Sequence, residues 1–356
     1  MVHIEILVFE LAPFCHIINT PRIPHQSLSF FVILKLRASI VLEKRIEQKH
    51  NKIHMTRVSL IKGDDRRTIA KRSLDLITDD VKKGLRSRRP IIKPNFVSSA
   101  IQLASSHVDQ IRGILDFFSS FYQDKIIIAE AACYDTHEAY KNFGYLRLLK
   151  EYNVELIDLN TGPYEAYSLI DRHNKPITVK ISRMLLDKDN YIISAAKLKT
   201  HDTVVVTLSL KNIAVGSIMG KDKKSVHQGV KRTNLIIAGL AGRVRADLAV
   251  IDGFEGMEGD GPTSGDPVHL GIGIASIDAL AADRVACEIM GVNFHNVGYL
   301  HYCAEQGVGE ADLNKIEVSG ESLSDCIRPF KLHRSVNEQY SWKSETDIVL
   351  NFEDIQ

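Results

Sequence analysis

The chain has 356 residues, enough for one large domain or two ordinary ones. Lys plus Arg number 45 against 44 Asp plus Glu, so the basic excess of a protein that coats nucleic acid is missing. Hydrophobic residues at 44% and charged residues at 25% exclude bulk disorder.

Residues 1–54 stand apart. They hold no Gly and no Asp, although the whole chain has 22 Gly, and they carry His3, His16, His25, His50 and His54. Glu5 and Glu10 interrupt the first apolar run, and no basic n-region precedes it, so a signal peptide is not expected. "SLSFFVILKLRASIVL" is broken by Lys35 and Arg37, too short and too charged to span a bilayer. The segment is read as a doubtful extension, with the true start at Met55. The expectation is a cytoplasmic protein without membrane or nucleic-acid partners.

From Met55 the pattern becomes regular. "TRVSLIK" (56–62) alternates as a strand, and 67–85 has the spacing of an amphipathic helix. Strand-like 89–97, helical 107–122, strand-like 124–132, helical 137–153 with a break at Gly144, and strand-like 154–160 follow. Further strands are expected at 176–182, 190–198, 248–253, 269–276 and 314–320, and helices at 229–247 and 277–291. Residues 202–219 fit either type, and 331–356 read as a less regular tail. This alternation predicts an α/β fold with a largely parallel sheet flanked by helices, in two lobes with the site between them. Ligands of such sheets sit outside the carboxyl ends of the strands, where Lys93, Asn95 and Glu130 fall.

"SAAKLKTHDTVVVTLSLKN" (194–212) is the richest stretch. In an extended segment Lys197, Lys199 and His201 share a face opposite Leu198, and Lys211 with Asn212 closes the segment. An edge strand guarded by lysines explains this cheaply. An anion site explains it together with the basic, glycine-punctuated loop that follows, which carries Lys221, Lys223, Lys224 and His227. "VIDGFEGMEGDGPTSGDP" (250–267) reads as a glycine-rich acidic loop at a strand exit, with Asp252 its best acid–base or metal candidate and Glu255 beside it. It has neither P-loop order nor EF-hand spacing. Pro94 fixes the aim of Lys93 and Asn95. Asp278 and Asp283 lie five apart; Asp278 reads as a helix cap. His295 and His301 lack the His-x-x-x-His spacing. The cysteines, Cys15, Cys133, Cys287, Cys303 and Cys326, form no CxxC pair, which points to reduced thiols.

"IIKPNFVS", "YLRLLKEYNVELIDLN", "AAKLKTHDTVVVTLSLKN", "GFEGMEGDGPTSGDP", "DALAADRVACEIMG" and "AEQGVGEADLNKIEVSG" occur in an order that resembles the domain-of-unknown-function family 362 (DUF362), from about Met55 to about Gly320. The resemblance implies an α/β protein of poorly defined activity, and a start near "TRVSLIKGDD". Many members carry ferredoxin-type cysteine motifs and are described as iron–sulfur proteins. This chain has no such cluster, so an iron–sulfur role is not carried over. The Lys-Thr-His segment usually begins with proline in the family; here the residue is Ala196.

The function expected is that of an enzyme acting on a small carboxylate- or phosphate-bearing metabolite. Lys199, His201 and Asp252 are the catalytic candidates, with His201 expected to titrate near neutrality. Lys93, Asn95, Glu130, Lys197, Thr200, Lys211, Asn212, His227 and Glu255 complete the substrate set. Crowded lysines repel, so one should have a lowered pKa and could serve as a base. The alternatives are a non-catalytic anion or cofactor carrier serving a redox partner protein, and a metal protein using His201, His227 and Asp252. A divalent metal on Asp252 and Glu255 is compatible with the enzyme reading.

Overall fold

The computed structural model describes residues 55–344. The expected extension at 1–54 and the last part of the tail lie outside the described residues.

Eleven strands occur among the described residues: β1 (Thr56–Lys62), β2 (Arg89–Lys93), β3 (Ile126–Glu130), β4 (Val154–Asp158), β5 (Tyr164–Ile170), β6 (Pro176–Ser182), β7 (Asn190–Thr200), β8 (Val206–Thr207), β9 (Leu248–Glu258), β10 (Asp266–Ser276) and β11 (Ile316–Gly320). The main helices are α1 (Arg66–Asp75), α2 (Thr78–Leu85), α3 (Val108–Ser119), α4 (Thr136–Asn142), α5 (Ser209–Gly216), α6 (Val230–Arg243), α7 (Ala279–Ile289) and α8 (Gly298–Glu305).

One mixed sheet runs in the order β11-β1-β10-β9-β7-β2-β3-β4, with β8 added to the end of β7. The block β9-β7-β2-β3-β4 is parallel throughout, and β1 pairs parallel with β11. β10 is antiparallel to both its neighbours. The mostly parallel sheet flanked by helices is therefore as expected. The two-lobe detail is corrected, because β2 of the first half pairs directly with β7 of the second. β7 is buried at every position and β2 at all but its first, so each needs a covered neighbour rather than an open edge. β5 and β6 form a separate hairpin.

Helices cover both faces. Leu74 of α1, Ile111 and Ile114 of α3 and Tyr140 of α4 pack with Ile92, Ile193 and Val250 on one side. Ile213 of α5, Ile237 of α6 and Val285 of α7 pack with Ile91, Leu198 and Ile251 on the other.

Local differences from the sequence reading have physical causes. The helix expected over 67–85 is two helices, because Asp79 and Asp80 begin a new first turn where carboxylates suit the dipole. The ambiguous 202–219 resolves into short β8 followed by α5. Residues 331–344 are not loosely attached: Trp342 and Gln339 are buried, and Val205 N–H donates to Gln339 Oε1 at 2.6 Å.

The acidic glycine-rich segment is corrected most. It is no loop at a strand exit, since β9 runs on to Glu258 and β10 starts at Asp266. Its glycines are packing positions: a Cβ on Gly253 would lie 2.6 Å from Leu198 Cδ1, and one on Gly256 3.0 Å from Leu198 O.

Candidate functional site

The chain leaves β2 and crosses through α3 to β3 and β4 on one side. It leaves β7 and crosses through α5 and α6 to β9 on the other. The β2–β7 junction is therefore the point where the strand order reverses, the usual ligand crevice of such sheets. Lys93, Asn95, Glu130, Lys199 and Thr200 stand at or just beyond the carboxyl ends that meet there.

Lys93 is wholly buried and comes from the face packed by α5. Its ammonium pairs with Glu130 and donates to Pro94 O at 2.8 Å and Asn212 Oδ1 at 3.0 Å. Asn212 returns its Nδ2 to Lys93 O at 3.3 Å and Ser194 Oγ at 3.0 Å. Burial pushes the Lys93 pKa down, and Glu130 opposes this.

Lys197 and Lys199 rise from the opposite face. Lys197 is cross-strand from Asp252, with Nζ 3.8 Å from Oδ2. Arg66, in the first turn of α1, reaches the same carboxylate at 3.1 Å, approaches Glu255 at 3.9 Å and lies over the Phe254 ring at 4.8 Å. Lys199 is completely buried. It donates to Asn95 Oδ1 at 2.7 Å and to the Ala104 carbonyl. Burial and the charges of Lys211 and Lys197 push it well below the usual lysine range.

Lys211, in the first turn of α5, is half-buried and makes no hydrogen bond or ion pair among the described residues. Burial lowers it to about 8, and Lys223 works in the same direction. Lys223 is buried and donates to the Ala131 carbonyl. Lys199, Lys211 and Lys223 thus have no carboxylate partner among the described residues, while Lys93 and Lys197 each have one.

His201 is buried at the end of β7. Its Nδ1 lies 3.0 Å from Thr203 N–H and 3.0 Å from Asp202 Oδ1. Its ring is parallel to that of His227, with centroids 6.5 Å apart. Burial, with the charge of Lys211, drops its pKa to about 3. The expectation that His201 titrates near neutrality is therefore corrected: it stays neutral under ordinary conditions. The turn after it is held in an uncommon backbone state, Val205 having φ 69°, a position a β-branched residue rarely takes.

The structure thus gathers Lys93, Asn95, Glu130, Lys199, Lys211, Asn212, His201 and His227 in one neighbourhood. Lys197, Asp252 and Glu255 form an adjoining, charge-compensated group. Thr200 is turned elsewhere: its hydroxyl donates to Gly259 O at 2.8 Å and holds the β9–β10 turn. The metal set of His201, His227 and Asp252 is not assembled. Asp252 is engaged by Arg66 and Lys197, and among the described residues no three His, Cys, Asp or Glu side chains converge to hold a metal ion.

Sequence reasoning missed Arg66, which no local motif distinguishes, and the role of Asp283. The Asp283 carboxylate is fully buried and accepts from Ser209 N–H at 2.8 Å and Leu210 N–H at 2.9 Å. It caps the helix that carries Lys211 and Asn212. Asp278, as expected, caps its own helix through Ala281 N–H.

A mixed, mostly parallel sheet flanked by helices describes the class of this protein. More narrowly, the pattern of Domain of unknown function (DUF362) matches residues 91–288, and the chain belongs to that family. A thylakoid-associated protein of Synechocystis sp. is 30% identical over 154 residues, which cover 42% of this chain and 46% of that protein. The match thus spans less than half of that relative. Among solved structures, a Thermotoga maritima protein aligns at TM-score 0.42 and 14% identity, over 64% of this chain and 60% of that one. The lactate racemase apoprotein of Thermoanaerobacterium thermosaccharolyticum aligns at TM-score 0.42 and 14% identity, over 65% and 56%. No helix among the described residues is long and apolar enough to cross a membrane.

Proposed function

We propose that the protein is an enzyme that binds a small carboxylate- or phosphate-bearing metabolite at the β2–β7 reversal point and works on it by lysine acid–base chemistry. One observation supports the reading: Lys199, Lys211 and Lys223 make no ion pair with a carboxylate among the described residues, and Asp202 acts on Lys211 only from beyond ion-pair distance. Buried or half-buried ammonium groups without counter-charge are costly, and an anion relieves that cost. Lys93–Glu130 and Lys197–Asp252 are already compensated, so they frame the site rather than fill it.

The test begins with full-length protein, native mass spectrometry and elemental analysis. Thermal shift against sulfate, phosphate and a panel of carboxylates follows, and then turnover assays on whatever binds. Stabilisation by anions that is lost in Lys211→Met supports the site. Absence of any anion effect removes it. Binding without turnover favours the carrier alternative. For location, the cytoplasmic reading stands beside association with a membrane surface, because the Synechocystis relative is thylakoid-associated. Cell fractionation decides between them.

A further inference from the structure

The lysines of the site are not equivalent. Lys93, Lys197, Lys199 and Lys223 each commit their nitrogen to an ion pair or to carbonyl and amide oxygens. Lys211 does not, and it alone of the five is half-buried rather than buried. It sits in the first turn of α5, the positive end of the helix dipole, which disfavours a positive charge. The groups that act on it or stand around it are Lys199, Lys223, His201, His227, Cys133 and Asp202. Only Asp202 and the Cys133 thiol favour its ammonium form. An unanchored, reachable amine among cations is the arrangement in which lysine becomes a nucleophile.

The geometry points to Lys211 as a reactive amine that condenses with the carbonyl of a small 2-oxo acid or similar carbonyl-bearing anion, whose negative group Lys199 and Lys223 hold. This rests on the anion site proposed above and moves the reactive group from Lys199 to Lys211. The amine nitrogen attacks the carbonyl carbon and forms a C=N bond. Both amine hydrogens leave with the carbonyl oxygen as water, so the step needs neither oxidant nor reductant. Lys199 spends two N–H donors on Asn95 and Ala104, and Lys223 spends one on Ala131, which leaves both with a donor for the anion.

Full-length protein is incubated with pyruvate as the probe and cyanoborohydride as the trapping reductant, then digested and mapped by mass. The expected result is a reduced adduct on the Lys211 peptide that is absent from Lys211→Arg. An adduct spread evenly over surface lysines, or none, overturns the inference. Competitive acetylation without any carbonyl ligand gives a second reading. At pH 7.5 Lys211 should label about 100-fold faster than an exposed lysine of ordinary pKa, and labelling at the ordinary rate also overturns the inference. Sulfate-dependent thermal stabilisation, run alongside, separates the two ideas. Sulfate stabilisation without fast labelling or adduct defeats the reactive amine and leaves the anion site standing. A Lys211 adduct without any sulfate effect upholds the reactive amine and defeats the anion reading.

Discussion

Gly216 in α5 and Lys93 at the end of β2 occupy adjoining volume with no room between them. A Cβ built on Gly216 would lie 2.2 Å from Lys93 Cε and 2.3 Å from Nζ. No side-chain terminus can yield cheaply here, because the Lys93 ammonium is held by Glu130, Pro94 O and Asn212. Gly216→Ala must therefore either pull Lys93 off Glu130 or push α5 away from the sheet. The expected loss is at least about 2–3 kcal/mol, seen as a lower urea midpoint, with sulfate binding weakened as well. An unchanged midpoint and unchanged sulfate binding would mean that α5 is free to shift.

The Lys93–Glu130 pair makes a separate prediction. Removing one buried partner leaves the other charge unpaired, which costs about 3–5 kcal/mol. Glu130→Gln should unfold at clearly lower denaturant than the wild type. The double variant Lys93→Met with Glu130→Gln should recover most of that loss, since no buried charge remains. A double-variant loss equal to the sum of the Lys93→Met and Glu130→Gln losses would show that the pair is not coupled.

The charge on Lys211 sets a pH dependence for anion binding. With a pKa near 8, Lys211 is mostly charged at pH 7 and mostly neutral at pH 9. Sulfate stays a dianion across this range, so its attraction to the site falls as pH rises. Sulfate affinity should weaken up to about tenfold between pH 7 and 9, and Lys211→Met should bind weakly with little pH dependence. His201 contributes no step near pH 6.5, because its pKa lies at about 3. Calorimetric titration at pH 6, 7, 8 and 9 checks both statements, and a wild-type step centred near pH 6.5 would count against them.

Much of the parallel sheet was legible because its strands are built around apolar runs. "RPIIK", "IIIAE" and "NYIISAAKLKT" need cover on both faces, and alternation with helices supplies it. The lysines were legible for the same reason in reverse, since charges inside such runs need an explanation. Three things were not legible. The length of β9 was hidden because Gly253 and Gly256 look like loop residues, whereas they are glycines for lack of space beside Leu198. Arg66 meets Asp252 from 186 residues away, and no local pattern encodes such a meeting. The depth of His201 depends on packing, so a neutral-range pKa was the natural reading and the wrong one.

Asp283 supplies a last prediction with the opposite sign to an ordinary surface carboxylate. Burial raises its pKa to about 8, against which the Leu210 and Ser209 N–H groups work. The unfolded chain ionises this group near pH 4, so between about pH 4 and 8 the native state holds more protons than the unfolded state. Stability from this residue is therefore full below pH 4 and declines as pH rises towards 8, by a few kcal/mol. Asp283→Asn cannot ionise, so this falling component should vanish from its stability-against-pH curve. The amide still offers one oxygen to the α5 cap, which keeps the helix and its Lys211 in place. Urea midpoints at pH 5, 6, 7 and 8 for both proteins give the comparison. The variant should gain relative to the wild type as pH rises, and a constant difference would place an ionised carboxylate at the α5 cap across the whole range.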